Sequence, residues 1–483
     1  MRRILAYIVF ISIYSISANA QIQRAAAMGG LSYSIIDKDL SLSLYDFGGN
    51  PAWLYVEEQQ DYLKVEPSFG SRWGDYRRKY DADRINNYDI SFAGVKTLGS
   101  KGTFYGLTEY NYELRKDYYY TVRKDPYRGD GFNIVDTSTG DFRYNGPIVK
   151  LMYSWELLHN LFAGGYGFYR MQDGLKKNYA YAKTIYRNAG GGLGLAYRFS
   201  DSLAVGVSLD YYNEQEAIES EDINLLDVEI HIYRGETYFI TKKSSSEEQK
   251  IKGEGFSLSG QMFWNAGNNI QVGFQANYKP STSKLLIPNA QTDELESEDC
   301  YANFESYDAQ LRLQYNTDDF VLGFYGGYFH DDAWTRITNK DVLMWDWNID
   351  RATAGIGSSY KVLKNLLVGA EYQFSGFDVD STKYIDLKHT EFSSTAHSFK
   401  LGLEYEVRNG VFLRTGYNYG FDEHDIISGG DDVSFNSYSL GIGYYLFGQF
   451  AVDAHVNYSG HSPAGNIKRS DMNGVITLTF NSF

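Results

Sequence analysis

The fold class that this 483-residue sequence predicts is all-β, a transmembrane antiparallel up-and-down β-barrel, and three observations predict it. Segments of about ten residues alternate apolar and polar side chains with period two, the pattern of strands that show one face to an apolar medium. Tyr (44), Phe (29) and Gly (48) are abundant and Pro (7) is scarce. Mean hydropathy is negative, at -0.41, although the first residues read as an export signal. A membrane strand shows lipid to every second residue only, so a barrel reconciles a polar average with a membrane location.

At the amino terminus, Met1-Arg2-Arg3 gives a basic start, Ile4 to Ile16 an apolar run, and Ala18-Asn19-Ala20 a small-residue cleavage pattern. Residues 1–20 therefore read as a signal peptide. The apolar run of roughly 13 residues is short of the about 20 that a spanning helix needs. Residues 21–60 then precede the first strand and are too many for a simple tail. Within them, Leu44-Tyr-Asp-Phe-Gly-Gly-Asn-Pro-Ala-Trp-Leu54 resembles the amino-terminal region of the long-chain fatty acid transporter superfamily of outer-membrane barrels and its Bacteroidota relatives. Asn50, Pro51 and Ala52 match an element that those barrels fold into the lumen. The resemblance implies a plug or hatch made by residues 21–60, and the transport of hydrophobic substrates. A turn capping a periplasmic tail is the alternative.

The strand signals fall near residues 61–70, 86–97, 103–114, 142–155, 161–171, 189–199, 203–213, 252–264 and 270–279, and then near 302–315, 320–330, 350–362, 366–377, 394–406, 411–421, 433–446, 450–459 and 470–483. That makes about eighteen strands, within a span of about sixteen to twenty. The alternation assigns faces. Phe450, Val452, Ala454, Val456 and Tyr458 face outward, whereas Asp453, His455 and Asn457 face the interior. By the same rule Arg312, Glu371, Lys400, Glu404, Arg414 and Asn418 line a polar lumen, where they set the field that would select solutes. Inward glycines such as Gly194, Gly206 and Gly443 either admit another backbone or relieve strand curvature.

Short turns such as Gly99 to Gly102 and Arg408 to Gly410 alternate with links of about ten to nearly forty residues, the pairing of periplasmic turns with external loops. Both termini are then periplasmic. Tyr211, Tyr278, Tyr328, Phe374, Tyr419 and Tyr458 should form one aromatic ring, and Tyr197, Trp264, Tyr315, Tyr360, Tyr405 and Tyr444 the other. The stretch 226–241 reads as a hairpin projecting from an external loop, and Cys300 as an incidental surface thiol. Asp341 to Asn348 reads as an external loop in which Met344, Trp345 and Trp347 either contact a partner or fold over the barrel mouth. The chain ends on Phe483, a residue on which outer-membrane barrels often finish, yet Ile476, Leu478 and Phe480 are out of phase with it.

The net charge of -16 gathers in loops such as Asp293 to Asp299, which solvates them. No run has the spacing of a metal loop or a nucleophile motif, so no metal site, cofactor, catalytic residue or nucleic-acid partner is expected. Two function classes fit. One is a gated or plugged outer-membrane conduit for small solutes or hydrophobic substrates. The other is a non-conducting accessory barrel that holds a surface lipoprotein, an uptake receptor or secreted cargo. The surrounding partners in either case are outer-membrane lipid and lipopolysaccharide.

Overall fold

The computed structural model describes residues 49–56, 61–118, 121–136, 139–177, 181–221, 228–234, 238–244, 246–267, 269–288, 295–425, 428–446, 450–465 and 467–481. The expected signal peptide, most of the segment 21–60 and Phe483 lie outside them. A single helical turn, Trp53–Val56, precedes the strands. The strands are β1 (Tyr62–Gly74), β2 (Arg84–Thr97), β3 (Thr103–Tyr118), β4 (Asn133–Asp136), β5 (Gly140–Leu158), β6 (Leu161–Lys177) and β7 (Tyr181–Ser200). There follow β8 (Leu203–Glu221), β9 (Val228–Tyr233), β10 (Phe239–Ser244), β11 (Ser246–Ala266), β12 (Ile270–Pro288), β13 (Leu295–Asn316) and β14 (Phe320–Ile337). The last are β15 (Val342–Leu363), β16 (Leu366–Lys383), β17 (Lys388–Arg408), β18 (Val411–His424), β19 (Asp431–Leu446), β20 (Phe450–Ser462) and β21 (Arg469–Asn481).

Eighteen of these pair antiparallel with their neighbours in one sheet, which closes where β21 meets β1 with Leu63 opposite Phe480 and Val65 opposite Leu478. The other three form a separate sheet in the order β10-β9-β4. Closure leaves the wall without a free edge, which a strand structure in lipid requires.

The face assignments follow from cross-strand register. Val272, Leu313, Phe324, Ile356, Tyr372, Phe399 and Tyr419 lie directly opposite one another along seven successive strands, a continuous apolar row on the outside. Each such pair contributes about 0.2–1 kcal/mol, so a row stabilises the wall collectively. Tyr197, Trp264, Tyr315, Tyr360, Tyr405 and Tyr444 are all exposed near the short turns. They form the ring expected there.

Three expectations are corrected. Many of the anticipated long links are strand: β14 and β15 are joined by 338–341 alone, and β16 and β17 by 384–387, because the strands run on well past the apolar belt. Of the stretch Asp341 to Asn348, Val342 to Asn348 is therefore wall, with Trp345 opposite Thr335 and Trp347 opposite Ala333 on β14. The hairpin expected at 226–241 does form, as β9 and β10, but it does not project: Ile230 and Ile232 are buried in the largest apolar cluster. Cys300 is no surface thiol either. It is fully buried in the same cluster, 3.9 Å from the Met344 sulfur.

Candidate functional site in the lumen

At the short-turn end, Asn50-Pro51-Ala52 and the helical turn pack against the inner wall. Gly49 takes a left-handed backbone (φ 63°), and Pro51 then starts the turn, where a missing N–H costs nothing. The Asn50 side chain ties the segment down. Its Oδ1 accepts from the Ala52 N–H at 2.9 Å, while its Nδ2 lies 3.2 Å from Leu195 O, 3.1 Å from Val207 O and 3.0 Å from Gln261 Oε1. Ser154 Oγ donates to Ala52 O at 3.0 Å and Arg198 Nη2 to Val56 O at 3.0 Å. Trp53 is buried on Phe162, Ala196 and Ala204, and Leu54 on Val95 and Met152.

Glycine makes this approach feasible. A Cβ at Gly164 would lie 2.5 Å from the Pro51 carbonyl carbon, one at Gly206 would lie 2.6 Å from Trp53 Cζ2, and one at Gly194 would overlap Asn50 Oδ1. Of the two roles open to the inward glycines, room for another part of the chain is the one seen at these positions.

At the long-loop end the lumen holds a packed body. Segment 121–136 leaves the end of β3, turns into the barrel and adds β4 to the β9–β10 hairpin. Val122, Phe132, Ile134, Ile230 and Ile232 meet inward residues of the wall, among them Phe142, Tyr144, Ile218, Ile251, Leu285 and Met344. Ion pairs frame the core. Arg123, 1% exposed, grips Asp130 with two guanidinium nitrogens at 2.7 and 3.0 Å. Lys124 Nζ lies 2.6 Å from Glu113 Oε2, and the Lys124 N–H donates to Glu216 Oε1 at 2.5 Å. Loss of water pushes the Lys124 ammonium down to about 8, although Glu113 pulls it up. Arg128 pairs with Glu214 on β8, and Arg234 with Asp299 on β13.

This body bridges the barrel. Trp347 Nε1 donates to Gly129 O at 3.1 Å, and Gly129 (φ 81°) lies so close that a Cβ there would be 2.6 Å from Trp347 Cζ2. Around the ring β3 is the third strand and β15 the twelfth, so eight of the eighteen lie between them in either direction. The segment that starts on one wall is thus bonded to the diametrically opposite one.

The eight lumen residues named from the alternation all sit on inward positions. Glu404, Arg414 and Asp453 form one cluster, with Arg414 bonded at 2.6 and 2.7 Å to the two carboxylates. Lys400 and Glu371, direct partners on β17 and β16, are 3.8 Å apart. Asn418 Oδ1 accepts from Ser398 Oγ at 2.9 Å. His455 is the direct neighbour of Gly441 and Val475, and no carboxylate among the described residues pairs with it. Arg312 stands apart from the cluster, beside Tyr325. Met344 is buried at the core, the Trp345 Nε1 donates to Ser381 Oγ at 2.8 Å, and Trp347 holds Gly129, so these three side chains are engaged within the chain.

Sequence reasoning missed Arg123, Lys124, Asp130, Glu214 and Glu216. The last two carried a signal: they occupy inward positions of β8 just past its clean alternation, where unpaired carboxylates would face the lumen.

Residues 51–343 match the model of a family of unknown function (DUF6850). No curated protein matches the chain. Among solved structures, the siderophore receptor PiuA from Acinetobacter baumannii is similar with a TM-score of 0.44 at 11% identity, covering 88% of this chain and 82% of that one. The toluene transporter TbuX from Ralstonia pickettii gives 0.35 at 11% identity over 95% and 97%, and the toluene transporter TodX from Pseudomonas putida 0.33 at 12% over 98% and 100%. At these scores the likeness carries no argument about activity.

Proposed function

The chain belongs to the family of unknown function (DUF6850), and for it we propose the role of an outer-membrane transport barrel whose conduit is closed by its own chain. The short turns face the periplasm and the long loops the outside, so the Asn50 segment is an inner hatch and residues 121–136 with the β9–β10 hairpin are an outer plug. One observation carries the reading: the bond from Trp347 to Gly129 O, which spans the lumen of a barrel wide enough to conduct. Small solutes or hydrophobic substrates are the cargo. The apolar residues that suggested a lipoprotein or receptor partner, Met344, Trp345 and Trp347, are used internally, and this leaves the accessory role without that support.

Planar-bilayer conductance tests the proposal. The intact protein should conduct weakly, replacement of 121–136 by a short Gly-Ser linker should open a steady conductance, and removal of residues 21–60 should raise it further. No conductance in any of the three proteins would end the transport reading.

A further inference from the structure

Below the plug the inner wall carries a cation that no carboxylate among the described residues pairs with. Arg351 occupies an inward position of β15, two inward positions below Trp347, with Ile349 between them. At about 3.4 Å per residue this is about 14 Å beneath the contact that crosses the lumen. Its guanidinium lies over the ring of Phe329, its direct partner on β14, at 4.2 Å. Among the described residues it has no ion pair, and its Nε is buried without a hydrogen-bond partner. Asp331, the next inward residue of β14, makes no ion pair with it, and Asp308 is taken up by Asn277 and by Lys279 at 2.7 Å.

A second polar group points to the same place. Tyr325 is 4% exposed and its hydroxyl has no hydrogen-bond partner among the described residues. Its side chain leans across Gly327, where an added Cβ would be 2.6 Å from the hydroxyl and 2.9 Å from the Phe329 ring, so the hydroxyl is directed toward Phe329 and Arg351. Arg312 is the direct neighbour of Tyr325 on β13, and both guanidiniums act on the phenol electrostatically, as does the Asp308 carboxylate with the opposite sign. Gly355 and Gly357 are the inward residues opposite Tyr325 and Gly323, so the wall is hollow there. A buried guanidinium Nε and a buried hydroxyl that lack partners among the described residues each cost free energy, which an oxyanion accepting from both groups would recover.

We propose that Arg351 and Tyr325, with Arg312 behind them, form a binding site for an oxyanion, the carboxylate or phosphate of a solute held under the outer plug. The site deepens the transport reading, on which its purpose rests, by giving the substrate class. Two anionic sources share this chemistry, so the purified full-length protein in detergent is titrated calorimetrically with succinate and, separately, with inorganic phosphate. Saturable binding of at least one is expected, about ten-fold weaker in Arg351→Gln, only partly restored in Arg351→Lys because the planar fork is lost, and weakened several-fold in Tyr325→Phe. Tyr325→Phe removes a single oxygen and serves where Arg351→Gln fails to fold. No binding of either probe, or equal binding by wild type and Tyr325→Phe, overturns the site. Conductance without oxyanion binding would refute the site and leave the transport reading standing. Binding without conductance in the plug-deleted barrel would do the reverse.

Discussion

At the short-turn end a few residues are seated by close backbone approach, with Asn50 reaching carbonyls of the wall across positions where Gly164, Gly194 and Gly206 present no side chain. At the long-loop end a larger body is held as a small soluble domain would be, with an apolar interior and buried ion pairs to β3, β8 and β13. The first seat is defined by what the wall lacks, and it tolerates almost no change of shape. The second is defined by charges and apolar area that the segment itself supplies, so it can be released while the barrel stays closed. In the transport role proposed above, that difference makes the outer plug the movable gate and the Asn50 turn the fixed hatch.

The comparison breaks most readily at Arg123. Asp130→Ala takes the bidentate carboxylate from the buried Arg123 guanidinium, leaving Glu216 at 4.0 Å, and should destabilise the plug by about 3 kcal/mol, whereas Arg123→Met with Asp130→Leu should recover part of the loss, since Glu216 then loses its cation. Proteolysis of 121–136 in the folded barrel reads both, and equal sensitivity of the single and double variants would show that charge is not what holds the plug. Gly194→Val should act at the other end alone, costing about 1–3 kcal/mol by overpacking against Asn50. Residues 49–56 should become accessible to protease while 121–136 stay protected. Gly260→Ala, where an added Cβ meets nothing within 4 Å, is the matched control.

Asn50→Ala removes the hydrogen bonds without adding bulk and should cost about 1–2 kcal/mol at the same end. A loss larger than that of Gly194→Val would mean that polar pairing, not space, decides the seat. Trp347→Phe deletes one N–H donor while keeping a ring, so it should loosen the plug by only about 0.5–1.5 kcal/mol, seen as a small rise in conductance.

A further effect is in pH. Lys124 titrates at about 8 in the folded protein against 10.5 when free, so between these values the folded state binds fewer protons than the unfolded one. Stability from this group therefore rises from about pH 8 to about 10.5 and is constant below 8. The melting temperature of wild type relative to Lys124→Met should increase over that window; a constant difference would contradict the burial of a charged ammonium.

How far the molecule could be read in advance differs along the chain for a physical reason. The alternation in Phe450 to Tyr458 or Phe399 to Val407 is set by lipid on one side and water on the other, so faces and strands were legible there. It faded in β15 above Arg351, where the outward residues Asp346, Asn348 and Asp350 face water as well, and the wall there was mistaken for a loop around Trp345 and Trp347. The lumen faces of Glu371, Lys400, Glu404, Arg414 and Asp453 were legible, but their grouping was not, because strand register is fixed by pairing and not by composition.

The sequence by itself determined the antiparallel wall, which residues face outward, and the presence of an Asn-Pro-Ala segment ahead of the first strand. These depend on period-two patterning and local turn chemistry, which neighbouring residues encode. Only the tertiary structure decided what fills the barrel. Gly129 meets Trp347 across 218 positions and Lys124 meets Glu216 across 92. Contacts at such separations depend on closure of the ring, which places the third strand opposite the twelfth, and no local pattern carries that information.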